Sequence, residues 1–408
     1  GFTGDAQVFV NTGMYLMECY PVYRKFLNEL RAVKRDGGCD SQTAPSGKGH
    51  LFDGSAGWRD AIDLIPWRMY LRYGNQDILK ENYEKIKEWL DFSLKRAKED
   101  NPGRVRGKDD KYYSYLLDTG WHWGEWIEPD WNGFISGEDP GGAYLRDIHD
   151  HGAPEVCTAH LSYGCQIAAE VAQLLGRKEE ADYYCEMRRL TKLAYREACM
   201  ENGRMKQKRQ CDYVHAVMFD MITDEEKKTT CDELNEMIVE NGFHLNTKFL
   251  STCELLRVLS DYGHADTAWS LMLQDTYPGW LYQLKYHATT IWEDWKGMEE
   301  GKEPKDSMNH YSFGTFAGWL MDRAAGIRVE EGKIQICPVP DRRIGYVKAV
   351  YDSPLGEIRS SWEYVDALFR LEVEIPPNVT AEVIMPDGTR HEAGAGIHVY
   401  EIAGESVD

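Results

Sequence analysis

The hydrophobic pattern of this chain changes period once, and that change sets what it can fold into. Up to about residue 325, apolar side chains recur every three or four positions, the spacing of one helix face. Leu79, Tyr83, Ile86, Leu90 and Leu94 step this way with Lys and Glu between them, which predicts an amphipathic helix with Asp77 as its cap. Cys253–Ser260 and Thr267–Leu273 read the same way. So does Phe316–Ala325, which stops at Gly326, a residue suited to ending a helix. Between such segments lie stretches rich in Gly, Trp and Asp, expected as long loops at 118–145 and 276–290. Beyond about residue 330 the period drops to two. Glu357–Tyr364, Leu368–Ile375, Ala381–Met385 and Ile397–Ile402 alternate as strands do, and Pro386-Asp387-Gly388 is a turn signal between two of them.

A chain of 408 residues exceeds what one hydrophobic core comfortably holds, unless the fold is a large closed barrel. Many helices joined by long loops over the first three quarters favour a helical barrel over a small bundle. The expected organisation is a mainly α domain over residues 1–327 and a small antiparallel β domain over 328–408. The β segment carries no cluster of chemistry and reads as a structural appendage.

Charge excludes some classes of function. The formal net charge is −21, against the basic patches that nucleic acid or an anionic membrane requires. It suits a soluble enzyme acting on a neutral substrate. No apolar run approaches the ~18–20 residues needed to cross a membrane. The ten cysteines are single, with no C-x-x-C pair, so neither a disulfide framework nor a zinc site is expected. With no charged-then-apolar leader before Gly1-Phe2-Thr3, the expectation is a reducing, cytoplasmic compartment.

Four stretches, read as loops, hold most of the unusual residues: Gly4-Asp5-Ala6-Gln7, Ser55–Ala61, Trp121–Trp126, and His287–Gly297 followed by Asn309-His310-Tyr311. Each sets a carboxylate or histidine among small residues or aromatic rings. In the last, Trp292 and Trp295 bracket Glu293 and Asp294. Each stretch has a structural reading of its own. Asp5 or Asp60 can cap a helix, three tryptophans in six residues can fill a core, Asp294 can be a structural acid, and His310 can be a satisfied core histidine. Four such stretches in one chain point instead to a cleft with aromatic walls and several acids. Rings stack on the apolar faces of sugars, and carboxylates supply acid/base chemistry, so this is the composition of a glycosidase site.

The elements G-F-T-G-D-A-Q-V-F, G-W-R-D-A, I-P-W-R-M-Y-L-R-Y-G-N, G-E-W, T-Y-P-G-W, A-T-T-I-W-E-D-W and N-H-Y-S-F-G, in this order and with the closing G-I-R-V…I-C-P-V-P, carry a resemblance. The chain resembles the bacterial α-L-rhamnosidases of glycoside hydrolase family 78, from its first residue to roughly residue 365. The resemblance implies an (α/α)6 barrel of the six-hairpin glycosidase type followed by a β-sandwich. It implies hydrolysis of terminal α-L-rhamnosides with inversion of configuration, without cofactor or metal. Small rhamnosides or oligosaccharides are the implied partners, and a homodimer is open. Glu293 sits where the family has its general base, and Asp5 where it has a sugar-binding acid. Trp58, Asp60, Trp126 and His310 match positions that line the rhamnose pocket. Trp292, beside the base, is a further candidate for binding sugar.

Some positions depart from the family pattern. Phe2 stands where Trp is usual, Glu125 where Asp is usual and His287 where Gly is usual. The family's general acid lies about seven residues before the Asp of G-D-A-Q, which counts back beyond Gly1. The sequence as it stands is therefore expected to lack the residue that protonates the leaving oxygen. Three alternatives follow: a lyase at a rhamnose–uronate linkage, a glycosidase for another deoxy-sugar, and a sugar-binding fragment without turnover.

Overall fold

The structure is a computed structural model that describes residues 1–33, 41–46, 53–100, 110–131 and 139–403. Contacts divide the chain into two compact units. The larger holds Gly1–Phe9, Pro21–Trp67 and Asp77–Phe313, and the smaller holds Val10–Tyr20, Arg68–Gln76 and Gly314–Asp408. Two helices, α1 (Thr3–Leu16) and α3 (Ala61–Tyr73), contribute to both units, whereas α2 (Tyr20–Ala32) is almost wholly in the larger.

The rest of the larger unit is a succession of helices. These are α4 (Asp77–Glu99), α5 (Asp110–Tyr113), α6 (Pro140–His151), α7 (Pro154–Leu174), α8 (Lys178–Cys199), α9 (Gln210–Met218), α10 (Asp224–Glu240), α11 (Thr252–Asp261) and α12 (Ala265–Met272). The predicted stripe is realised in α4, where Leu79, Tyr83, Ile86, Leu90 and Leu94 are all buried. Asp77 is the first helical residue, one place inside the expected cap, where its charge still favours the positive helix end. Helices α7 and α8 form a hairpin through Leu175-Gly176-Arg177, with Gly176 in the left-handed region at φ 72°. The α7 side of that hairpin is built on buried small residues, among them Ala159, Gly164, Ala168 and Ala172, which let a neighbouring helix approach closely. A short hairpin of β1 (Met200–Glu201) and β2 (Arg204–Met205) follows α8. Among the described residues, no helix is long and apolar enough to cross a membrane.

In the smaller unit, α13 (Phe316–Trp319) runs into a π-helical turn at Leu320–Ala324. It ends, as predicted, at Gly326, whose φ is 79°. A Cβ there would lie 2.3 Å from the Pro338 nitrogen, so the position requires glycine twice over. Eight strands follow: β3 (Ile327–Glu330), β4 (Lys333–Ile336), β5 (Tyr346–Ser353), β6 (Gly356–Val365), β7 (Leu368–Ile375), β8 (Ala381–Ile384), β9 (Arg390–Ala393) and β10 (Gly396–Ala403). They form two four-stranded sheets, β10-β7-β6-β5 and β3-β4-β8-β9. All ladders are antiparallel except β4 with β8. Alternate residues of both sheets meet in one core, including Val329, Ile336, Ile358, Phe369, Leu371, Val373 and Val383. The Pro386-Asp387-Gly388 turn closes with Met385 N–H on Thr389 O at 2.8 Å.

Three expectations change. Gly4–Gln7 is not a loop but the first turns of α1, since a glycine near a helix start does not stop the helix. The expected loop at 118–145 gives way to α6 at Pro140, where Asp139 caps the helix by accepting from Gly142 N–H; residues 132–138 lie outside the described residues. The expected loop at 276–290 contains a 3-10 helix, Trp280–Tyr286.

Candidate active site

All four stretches belong to the larger unit and meet around one aromatic cluster. The Trp58 ring stacks on Phe249 at 5.1 Å and 22°, and Trp123 leans against it at 5.5 Å. Trp126 stands edge-on to Trp123 at 4.8 Å. On the other side, Phe249 meets the edge of His310 at 5.4 Å. His310 Nε2 is 2.8 Å from Asp5 Oδ1. The Ser312 amide donates to His310 Nδ1 at 3.3 Å, which places the ring proton on Nε2, facing Asp5. Asp5 and His310 are 305 positions apart (310 − 5) in the chain.

Backbone geometry sets these rings. Gly57, at φ 80°, donates its N–H to Asp60 Oδ2 at 2.6 Å, and Gln7 Nε2 donates to Gly57 O at 2.5 Å. Trp89 Nε1 donates to Asp60 Oδ1 at 3.0 Å. Both oxygens of Asp60 are thus engaged inside the protein, where they fix the turn that presents Trp58. Burial pushes the Asp60 carboxyl up to about 6, against the opposing bonds from Trp89 and Gly57. The turn is stitched to the tryptophan-rich loop as well. Trp123 N–H donates to Ser55 Oγ at 3.1 Å, Ala56 N–H donates to His122 Nδ1 at 3.0 Å, and Trp123 Nε1 donates to Gln42 Oε1.

Glu293 lies on a segment paired with the one that carries His310. Its N–H donates to Ser307 O at 2.9 Å, Ser307 N–H donates back to its Oε2 at 3.1 Å, and His310 N–H donates to Ile291 O at 2.7 Å. The side chain is half-buried. Its neighbour Asp294 is structural: Oδ2 is 2.9 Å from both Lys248 Nζ and Lys305 Nζ. Burial would raise the Asp294 carboxyl, but the two lysines hold it well below the usual carboxylate range. Trp295 is core, face to face with Phe313 at 3.9 Å, with Nε1 on Thr247 O. Trp292 is placed in the core too. It is 2% exposed and packs against Tyr286, and a Cβ at Gly297 would come within 2.9 Å of its ring. The rings that bracket Glu293 are thus both packed against neighbouring rings, where they hold its turn. His287 adopts φ 57°, the left-handed conformation that explains why glycine is usual there.

Three buried polar atoms at this cluster have no hydrogen-bond partner among the described residues: Asp5 Oδ2 and Gln7 Oε1, both acceptors, and Trp58 Nε1, a donor. A group of three or more His, Cys, Asp or Glu placed to hold a metal is absent among the described residues. Phe249 and Lys248 lie outside the four stretches that the sequence singles out. N-T-K-F-L carries no motif, and only the fold shows Phe249 as the shared floor of Trp58 and His310.

The family model for the bacterial alpha-L-rhamnosidase 6 hairpin glycosidase domain matches residues 1–324, and that for the bacterial alpha-L-rhamnosidase C-terminal domain matches residues 332–399. The chain belongs to the bacterial α-L-rhamnosidase family. An alpha-L-rhamnosidase of Formosa agariphila is 32% identical over 400 residues, covering 95% of this chain and 40% of that protein. One of Streptomyces avermitilis is 30% identical over 423 residues, covering all of this chain and 38% of that protein. The chain thus spans about two fifths of the length of these curated relatives. The crystal structure of a Streptomyces avermitilis alpha-L-rhamnosidase complexed with L-rhamnose superposes with a TM-score of 0.83, at 28% identity, over 98% of this chain and 38% of that one. The rhamnosidase fold accounts for the helical domain and the β domain after it.

Proposed function

We propose that this chain is the catalytic part of an α-L-rhamnosidase that inverts configuration at the anomeric carbon. Glu293 is the general base. Asp5, oriented by His310, binds sugar hydroxyls, and Trp58 and Trp126 form the aromatic wall. The observation that carries this reading is the Asp5–His310 pair beside Trp58, with one acceptor and one donor left unmet in a buried setting. Buried polar atoms are almost always partnered, so a site that keeps such atoms unmet is suited to a polyhydroxylated ligand. Family membership supports rhamnose as that ligand, as does a similar structure solved with L-rhamnose.

In such a mechanism a base activates water on one face of the sugar while an acid protonates the leaving oxygen on the other, with the two carboxyls ~6.5–9.5 Å apart. Glu293 suits the base: one carboxylate oxygen is oriented by the Ser307 amide, and the backbone of the same residue is pinned to Ser307. No described residue is assigned as the acid. General acid help contributes ~10²–10⁴-fold and matters least for a leaving group that departs as an anion. The test is therefore proton NMR of p-nitrophenyl α-L-rhamnoside incubated with the chain. β-L-Rhamnose appearing first is the expected result. α-L-Rhamnose first would rule out inversion, and neither turnover nor binding of rhamnose would remove the reading altogether. Glu293→Gln should abolish turnover with rhamnose affinity retained, and near wild-type rates in that variant would sink the base assignment. Asp5→Asn should mainly weaken binding, through a lost charge-assisted hydrogen bond; unchanged rhamnose affinity by calorimetry would contradict it.

A further inference from the structure

Glu125 is fully enclosed, with 1% of its surface exposed. Its carboxylate is held by polar partners. Its Oε2 accepts from Ser251 Oγ at 2.7 Å and from the amides of Ser251 and Lys248 at 3.3 Å each. Its own carbonyl accepts from Phe249 N–H at 3.0 Å. Its Oε1 is 3.1 Å from His215 Nε2. One residue of the tryptophan-rich loop therefore grips the whole 248–251 turn.

What that turn presents is the site. Phe249 carries the Trp58 ring and abuts His310, and Lys248 reaches Asp294, next to Glu293. On the gripping side, Glu125 precedes Trp126. Trp126 and Ile127 both lie in the left-handed region, at φ 62° and 65°. Non-glycine residues hold that conformation only where their surroundings impose it. A single enclosed carboxylate thus stands upstream of the aromatic wall, the floor and the base-bearing turn. We propose that Glu125 is the positioning residue of the rhamnose site: it sets Phe249 and Lys248 against Trp58, His310 and Asp294, and touches no sugar itself. This inference rests on the function proposed above. The Glu125 carboxyl is suited to the role. Burial would raise it, but His215 and the Ser251 donors outweigh burial and keep it below the usual glutamate range.

The test uses the whole 408-residue chain, with L-rhamnose affinity read by tryptophan fluorescence and kcat and KM read on p-nitrophenyl α-L-rhamnoside. Glu125→Ala should weaken rhamnose binding about tenfold or more and lower kcat as well, because both floor and base turn shift. Glu125→Gln keeps an acceptor for Ser251 and should recover most of both. Ser251→Ala, a milder cut of the same link, should weaken binding roughly threefold and carries the test if the alanine variant at 125 does not fold. A folded Glu125→Ala with wild-type affinity and rate would overturn the proposal; so would wild-type behaviour of Ser251→Ala where Glu125→Ala is unfolded. Failure of Gln to rescue a folded Ala variant would make Glu125 an electrostatic group, and would also overturn it. A wild-type chain that neither binds nor cleaves overturns the rhamnosidase reading first, and this inference with it.

Discussion

Gly4 lies directly under the Trp58 ring, and a Cβ there would come within 2.4 Å of Trp58 Cε3. The ring cannot retreat, because Phe249 stacks on it. Gly4→Ala is therefore expected to tilt Trp58, at an overpacking cost of about 1–3 kcal/mol, and to weaken rhamnose binding while leaving the fold intact. Thermal melting and a fluorescence titration check this together, and an alanine variant with wild-type affinity would mean that the ring position is irrelevant. A second residue makes a prediction about pH. His160 is buried, donates Nδ1–H to Val156 O at 2.9 Å and packs edge-on to His215. Burial first, and His215 second, lower it to about 3. Between that value and the ordinary histidine value near 6.5, the unfolded chain binds a proton that the native chain refuses. The stabilising contribution is thus complete above pH ~6.5 and drains away as pH falls toward about 3, at up to ~1.4 kcal/mol per pH unit. A His160→Phe variant should gain on the wild type progressively below pH 6.5 in urea melts. Parallel curves for the two proteins would refute this.

At the scale of elements, α10 begins with a capping box that the sequence spells out as Thr223-Asp-Glu-Glu226. Thr223 Oγ1 accepts from Glu226 N–H at 3.3 Å, Glu226 Oε2 accepts from Thr223 N–H at 2.8 Å, and Arg196 clamps the same carboxylate at 2.5 and 2.7 Å. Thr223→Ala should cost ~1 kcal/mol in a urea titration, and no shift in midpoint would show that the cap is redundant. Elements of this kind were legible in advance. The α4 stripe and the alternation of β6 and β7 are local patterns, each buried on one face only, and β10 alternates between exposed and half-buried residues. Helix α3 is not, because it is buried on several sides and contains Pro66, which erases the period and suggests a break. The residues of the candidate site were likewise readable as motifs, but not their neighbours. Nothing in sequence joins Asp5 to His310, or separates Trp58 in the aromatic cluster from Trp292 in the core. Those distinctions are set by long-range packing, and so is the bond from Trp89 to Asp60.

At the scale of the whole molecule, the change of hydrophobic period near residue 327 suggests a place to cut the chain. The packing argues against cutting there. The smaller unit includes Val10–Tyr20 and Arg68–Gln76 as well as the β strands. Within it, Arg72 is 6% exposed, donates from Nη1 to Tyr351 Oη at 2.9 Å and lies 3.9 Å over the Tyr15 ring. Tyr351 Oη donates in turn to Met14 O at 3.2 Å, and Tyr15 Oη donates to Ile327 O at 2.9 Å. A fragment of residues 1–327 keeps Arg72, Tyr15 and Met14 but loses Tyr351 and the sheets that cover them. A buried guanidinium would lose a charge-assisted hydrogen bond, about 1.5–3 kcal/mol by itself, and the apolar cover of its neighbours would go with it. With roughly 2–4 °C of melting temperature per kcal/mol for a domain of this order, the fragment should melt at least ~10 °C below the full chain, or aggregate instead of melting. Restoring residues 328–408 in cis should recover the transition, whereas a Tyr351→Phe substitution in the full chain should lower it by only a few degrees. A fragment that melts cooperatively within ~2 °C of the full chain would show that the helical domain needs nothing from the strands, and that the boundary read from hydrophobic period is also a boundary of stability.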